Sequence, residues 1–241
     1  MLIKLDNPAV LSRVIDIISE LVSEVRIKIN EFGFSITAMD PANVSMVKFI
    51  IPKNSFSMFE TGDEVLGINL DNLRRILKRA GSAGSVILEK KGNLLNIKIH
   101  DKIKRDFNLS LIDIEGAEKE MPSLEFSSII EIDSQDLSDS IDDCLVVSDS
   151  CSFSVKDGKF IIEAKGLNSA MSEFSGDEAK INAENCKSRY SLDYLQKFVK
   201  GAKLSDKTLL KFANDHPLKM EIKNNFMELS FLLAPRVETE D

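Results

Sequence analysis

Apolar residues recur three and four positions apart in four stretches of the chain, and alternate with polar ones in many more. In the first stretch Leu11, Val14, Ile15, Ile18, Leu21 and Val22 share one helical face. Asn7 is placed to cap this helix, with Pro8 in its first turn. A second helix, around 71–81, puts Leu70, Leu73, Ile76, Leu77 and Ala80 on one stripe. A third is read in "DSQDLSDSIDDCL", and a fourth presents Tyr194, Leu195, Phe198, Val199 and Ala202. Strands are predicted at "VRIKI", "FSITAM", "VSMVKFII", "SVILEKK" and "LLNIKI", then at "SFSVK", "KFIIEA", "LLKFA", "LKMEI" and "MELSFLL". "RDFNLSLID" alternates Phe107, Leu109 and Leu111 on one face and reads as an edge strand.

These elements repeat. "LSRVIDIISELVSEVRIKINEFGFSI" and "LSDSIDDCLVVSDSCSFSVKDGKFII" both give a helix, a strand, a turn at Gly33 or Gly158, and a second strand. "LDNLRRILKRAG" and "LDYLQKFVKGAK" form a second matching pair at a similar offset, about 125 residues, which suggests a duplicated domain. Chance likeness of amphipathic helices is the competing explanation. Between the halves, "IDIEGAEKEMPSLEF" is acidic and has no periodicity, as a linker would. The expected class is α+β: two similar domains in tandem, each with two helices packed on antiparallel sheets. The expected boundaries are 1–112, a connecting loop at 113–127, and 128–241.

Composition narrows the chemistry. The 241 residues are 43% apolar and 29% charged, which suits a packed, water-facing protein. No apolar run approaches the roughly 20 residues of a membrane span. The opening "MLIKLDNPAV" lacks an apolar core with a cleavage site, so no signal peptide is expected. Cys144, Cys151 and Cys186 are odd in number and contain no CxxC pair, and His100 and His216 are the only histidines. That argues for reduced thiols and against a zinc site. "GSAGS" at 81–85 lacks a phosphate-loop ending and reads as a turn. No catalytic cluster, metal or cofactor is predicted.

Charge is the informative feature. Lys plus Arg number 31 against 39 Asp plus Glu, a net charge of −8, yet Arg74, Arg75, Lys78 and Arg79 stand together opposite their apolar stripe. No acid occurs between 72 and 88. The fourth helix repeats the theme with Lys197, Lys200 and Lys203, while the first has only Arg13 as a cation on its polar side and the third is acidic at Asp136, Asp139, Asp142 and Asp143. Sparse cations on rigid helices suit phosphate contact without base readout. No aromatics interleave them, which argues against base stacking. A solvated charged face is the plainer alternative.

At this point the chain resembles the archaeal sliding clamps of the proliferating cell nuclear antigen family. The matching segments are "TAMDPANVSMV", "GINLDNLRRILKRAG", "LIDIEGAEKEMP", "LVVSDSCSF" and "FLLAPRVE", in family order along nearly the whole chain. The resemblance implies the DNA clamp fold, three subunits closed into a ring, and helices lining the central hole. It implies no enzyme activity and a cytoplasmic, nucleoid-associated role in replication and repair. Partners implied are encircled double-stranded DNA, a clamp loader, and DNA polymerase, flap endonuclease and DNA ligase bound through short peptide motifs. Arg13, Arg74, Arg75, Lys78, Arg79, Lys197, Lys200 and Lys203 would face DNA. The partner pocket would involve Met39, Val44, Met121, Pro217, Leu232, Ala234 and Pro235. Without the family, Met39 and Val44 read as core or loop residues, the linker as an inert connector, and "VETED" as a solvated tail. Subunit contacts would involve Phe107, Leu109 and Leu111 against Met171 and Phe174 of a neighbour, with Asp139 and Asp143 meeting a cation among Arg79, Lys104 and Arg105. The family's eukaryotic members are basic along the first and third helices, where this chain has mostly Ser, Asp and Glu. Two alternatives stay open: one subunit of a heterotrimeric clamp, and an unrelated two-domain α+β enzyme.

Overall fold

A computed structural model describes residues 1–80 and 84–237. The chain divides into two compact units. The first holds 1–41, 47–120 and 225–228; the second holds 42–46, 121–224 and the chain from 229 onward.

The first half runs β1 (Leu2–Leu5), α1 (Ala9–Ile18), β2 (Glu24–Asn30), β3 (Gly33–Met39), β4 (Ser45–Pro52), β5 (Met58–Glu60), β6 (Glu64–Asn69), α2 (Leu70–Leu77), β7 (Ser85–Lys91), β8 (Leu94–His100) and β9 (Lys104–Ser110). The second half repeats it: β10 (Ser128–Asp133), α3 (Ser134–Leu145), β11 (Ser150–Lys156), β12 (Lys159–Lys165), β13 (Ser169–Phe174), β14 (Ala179–Ala183), β15 (Cys186–Ser191), α4 (Leu192–Phe198), β16 (Lys207–Phe212), β17 (Leu218–Lys223) and β18 (Glu228–Leu233). Within the first half the antiparallel orders are β5-β1-β7-β8-β9 and β4-β3-β2-β6. Within the second they are β14-β10-β16-β17-β18 and β13-β12-β11-β15, the same order position for position. The duplication reaches single bonds. Leu70 N–H donates to Ser23 O at 2.8 Å, and Leu192 N–H donates to Asp149 O at 2.9 Å. Both bonds tie the first residue of a helix to the turn before the halves' corresponding strands, β2 and β11.

Local chemistry explains the elements. Asn7 Oδ1 accepts from Ala9 N–H at 3.1 Å, but the helix starts at Ala9 and Pro8, expected in its first turn, stands at the N-cap position. Asn69 caps α2 by accepting from Asn72 N–H, and Asp133 caps α3 by accepting from Gln135 and Asp136 N–H. Gly33 opens β3 at φ 141, and a Cβ there would lie 2.2 Å from Ile51 O, so no other residue fits. The predicted stripe of α1 is buried, but the helix ends at Ile18; Leu21 stands in the turn that follows and Val22 just past it. α2 ends at Leu77 rather than near residue 81: Lys78 caps it and Arg79 stands in the next turn. Ile76 and Ala80 are only half-buried. Each unit has its own aromatic core. Phe34 meets Phe49 edge-on in the first, and Phe153 packs on Phe160, Tyr190 and Phe212 in the second. The turn read at "GSAGS" lies mostly outside the described residues, as does the "VETED" tail beyond Val237.

Candidate functional site

The helices of the first unit bring its cations together. α1 and α2 pack against each other. Arg13 is exposed on α1; Arg75, Lys78 and Arg79 are exposed on or just past α2; Arg74 is half-buried. Sequence reasoning found no acid within this patch, but folding supplies one. Asp16 of α1 reaches across to Lys78 at 2.7 Å and Arg74 at 3.4 Å. Arg74 also meets Asp71 at 3.0 Å. Partial burial pushes Asp16 up, but Lys78 and then Arg74 outweigh it and hold the carboxyl below its ordinary value. Arg13, Arg75 and Arg79 have no side-chain ion pair among the described residues. The missed signal was position: Asp16 lies on the polar side of the first helix, three residues past Arg13.

In the second unit Lys197 sits on α4 with its ammonium 5.4 Å from the Tyr194 ring centroid. Lys200 and Lys203 are exposed in the turns after α4, Lys203 within a short 3-10 segment at Ala202–Leu204. The acids of α3, Asp136, Asp139, Asp142 and Asp143, are all exposed. Asp139 accepts from Gln135 at 2.7 Å, and none of the four has an ion pair among the described residues.

Of the pocket candidates, Met39 ends β3 in the first unit and is half-buried. The others belong to the second unit. Ala234 N–H donates to Val44 O at 2.9 Å, joining the loop before β4 to the C-terminal segment. Leu232 is 9% exposed and belongs to the core, while Val44, Met121, Pro217, Ala234 and Pro235 are half-buried. Pro217 follows His216, whose ring meets Phe126 edge-on at 5.5 Å and whose carbonyl accepts from Tyr190 Oη at 2.7 Å. Pro235 borders a cleft of about 410 Å³ with Lys187, Arg189, Asn214, Asp215 and Arg236.

β9 and β13 each end a sheet, paired only to β8 and β12. On β9 Leu109 is buried and Phe107 half-buried; Leu111, just past it, is half-buried. On β13 Met171 is 62% exposed, but Phe174 is 8% exposed and stacks on Phe160 within its own unit. Phe174 therefore offers little to a neighbour. Arg105 is engaged within its own chain, at 2.7 Å from Asp101 and donating to Arg79 O at 3.3 Å. Val146, at the end of α3, and Leu167, before β13, are 86% and 106% exposed, and Ile103 beside β9 is 57% exposed. Sequence reasoning missed these three. For Leu167 and Ile103 the signal was an apolar residue in a turn otherwise built of polar ones; Val146, between Leu145 and Val147, gave no such signal.

Among the described residues, two copies of a two-helix, nine-strand unit, with cations on or just past α1, α2 and α4, define the DNA-clamp class of protein. The similarity to known proteins extends over residues 1–237. Residues 1–120 match the N-terminal domain, and 117–237 the C-terminal domain, of proliferating cell nuclear antigen. The chain belongs to the proliferating cell nuclear antigen family. It is 36% identical over 237 residues to the DNA polymerase sliding clamp of Pyrococcus furiosus, covering 94% of each chain. It is 37% identical over 228 residues to DNA polymerase sliding clamp 1 of Thermococcus kodakarensis, covering 91% of this chain and 92% of that one. The crystal structure of the Entamoeba histolytica family member superposes with a TM-score of 0.91 at 25% identity, over 98% of both chains.

Proposed function

We infer that this protein is a replication sliding clamp: copies of the chain close into a trimeric ring around duplex DNA, and the ring tethers DNA polymerase to its template. The observation that favours this is that β9 in the first half and β13 in the second, two of the six strands that end a sheet among the described residues, carry exposed apolar residues on or beside them: Ile103 by β9, Met171 on β13 and Leu167 before it. A head-to-tail contact between two unlike patches generates a ring when its rotation closes. Pairing β9 of one copy with β13 of the next would satisfy both edges, with Met171, Leu167, Val146 and Ile103 as apolar surface to cover.

The clamp does no chemistry itself. A closed ring cannot dissociate sideways, so its grip on phosphate need only be weak. Tethering then raises the effective concentration of any bound enzyme at the DNA. Arg13, Arg74, Arg75, Lys78, Arg79, Lys197, Lys200 and Lys203 are the DNA-facing set. A clamp loader opens the ring, and flap endonuclease and ligase join polymerase as partners. Met39, Val44, Met121, Pro217, Leu232, Ala234 and Pro235 are the candidates for taking their peptide motif, as the family resemblance implies. The deciding experiment compares retention on closed circular and linearised DNA. A clamp stays on the circle and runs off the linear ends; equal retention on both rejects the reading.

A further inference from the structure

The basic patch of the first unit falls into two classes. Arg13, Arg75 and Arg79 stand open, whereas Arg74 and Lys78 are already held by an anion of the chain's own. Asp16 supplies it, at 2.7 Å from Lys78 Nζ and 3.4 Å from Arg74 Nη1. Its side chain is 39% exposed, so the group that binds the cations remains within reach of solvent. The Arg74 Nε is buried with no hydrogen-bond partner, so that guanidinium is not fully satisfied by Asp16 and Asp71. A carboxylate, like a DNA phosphodiester, carries one negative charge and accepts charge-assisted hydrogen bonds from Arg and Lys.

We propose that Asp16 is an intramolecular substitute for a DNA phosphate, holding Arg74 and Lys78 between contacts and releasing them to the duplex only in exchange. The proposal rests on the reading that this face meets DNA. Exchange costs little, because a partly exposed ion pair is weak and one anion replaces another. Its consequence is a shallow energy profile along the duplex. The cations never lack a partner as one phosphate leaves and the next arrives, so no position on the DNA is a deep trap. Asp16 would then set how tightly the ring grips, and the open cations would set the residual attraction.

The test is a salt series of fluorescence-anisotropy titrations, using the whole protein and a labelled duplex of arbitrary sequence. Asp16→Asn should tighten binding. Because exchange lets the same two cations meet phosphate in both proteins, the slope of log affinity against log salt should stay near the parent's. Asp16→Glu keeps the charge and should stay near the parent. Asp6→Asn removes the same charge from an exposed site whose partner is Lys4, and should leave the affinity unchanged. Single-molecule tracking should show slower diffusion of Asp16→Asn along DNA. Equal affinity for Asp16→Asn and parent overturns the proposal, as does a slope steeper by about 0.9 per cation, which would show that the parent's cations never leave Asp16; an equal effect of Asp6→Asn would overturn it too, reducing it to net charge. Weaker binding by Asp16→Asn, with unchanged circular dichroism and ring size, also overturns it. Joint reversal of Arg74, Arg75 and Lys78 to Glu separates the two levels. If that variant binds as the parent does, the face does not meet DNA and both readings fall. If it loses binding while Asp16→Asn is silent, only the exchange falls.

Discussion

The guanidinium of Arg26, on β2, donates a 2.8 Å hydrogen bond to the carbonyl of Gly116. The same group donates to Ile114 O, and Lys28 meets Glu118 at 2.5 Å. Ile112 N–H donates to Gly67 O at 3.0 Å, and a Cβ on Gly67 would lie 2.0 Å from Ile112 O. The acidic connecting segment is therefore strapped to the first unit over its initial residues. Arg26→Ala should loosen it by about 1 kcal/mol, roughly a fivefold rise in local opening. Hydrogen-exchange mass spectrometry of 112–118 reads this directly, and Gly67→Ala should act in the same direction. Unchanged exchange in both variants would show that the strap is held by something else.

Glu221 gives a pH dependence. It is 7% exposed and receives Lys211 and Lys219, each at 2.8 Å. Burial pushes its carboxyl up, but the two ammonium groups outweigh that and hold it below its ordinary value. A carboxyl lowered in the folded state stabilises above its unfolded pKa, and the contribution is lost as pH falls through the folded one. Glu221→Gln should therefore cost about 1–3 kcal/mol at neutral pH. The variant should also lose part of the parent's decline in stability below about pH 4. Urea midpoints across that range decide it: parallel curves for the two proteins would remove Glu221 as a cause.

Met39 is the most direct probe of the partner surface, being half-buried rather than sealed in the core. Met39→Asp places a charge where an apolar side chain of the partner peptide should insert. Binding of a peptide carrying a Gln, an apolar residue and paired aromatics should fall below detection, a loss of more than about 2 kcal/mol. The ring should stay folded. Calorimetry showing full affinity for this variant would put the pocket elsewhere.

How far the sequence spoke depended on the element. "SVILEKK" is β7 to the residue, and the duplication was readable because two amphipathic helices each precede or follow strands in the same order. β1, β5, β6, β10, β14 and β15 were not foreseen. "LIKL" and "MFE" are too short for period-two alternation to register, and "CKSRYS" buries Ser188 and Ser191, so its inward face does not read as apolar. The cationic helix faces were visible because charge on one helix shares a local period. Asp16 could be placed on the polar side of its own helix, but its pairing with Arg74 and Lys78 spans two helices and has no local period. Phe174 was misjudged for the related reason that alternation cannot say which of two faces meets its own core. Strand position was legible in "RDFNLSLID", whereas the engagement of Arg105 by Asp101 was not.

Ring closure is the last prediction, and the structure narrows its chemistry. Asp139 and Asp143 are exposed on α3 without a cation among the described residues. Of the three candidate partners on a neighbouring copy, Arg105 is occupied by Asp101, which leaves the exposed Arg79 and Lys104 as the open ones. Exposed ion pairs contribute only about 0–1 kcal/mol each, so pairing of β9 with β13 and burial of Met171, Leu167 and Val146 must supply most of the closure energy. The pairs are repeated at every interface, however, which makes assembly salt-sensitive. Reversing Asp139 and Asp143 together to Lys should shift trimer toward monomer, and high salt should do the same, more weakly, to the parent. Light scattering across a dilution series reads both, and the parent purified alone shows whether one kind of chain suffices for the ring. An equal trimer fraction for variant and parent at every salt and concentration would leave closure to the strands and apolar contacts alone.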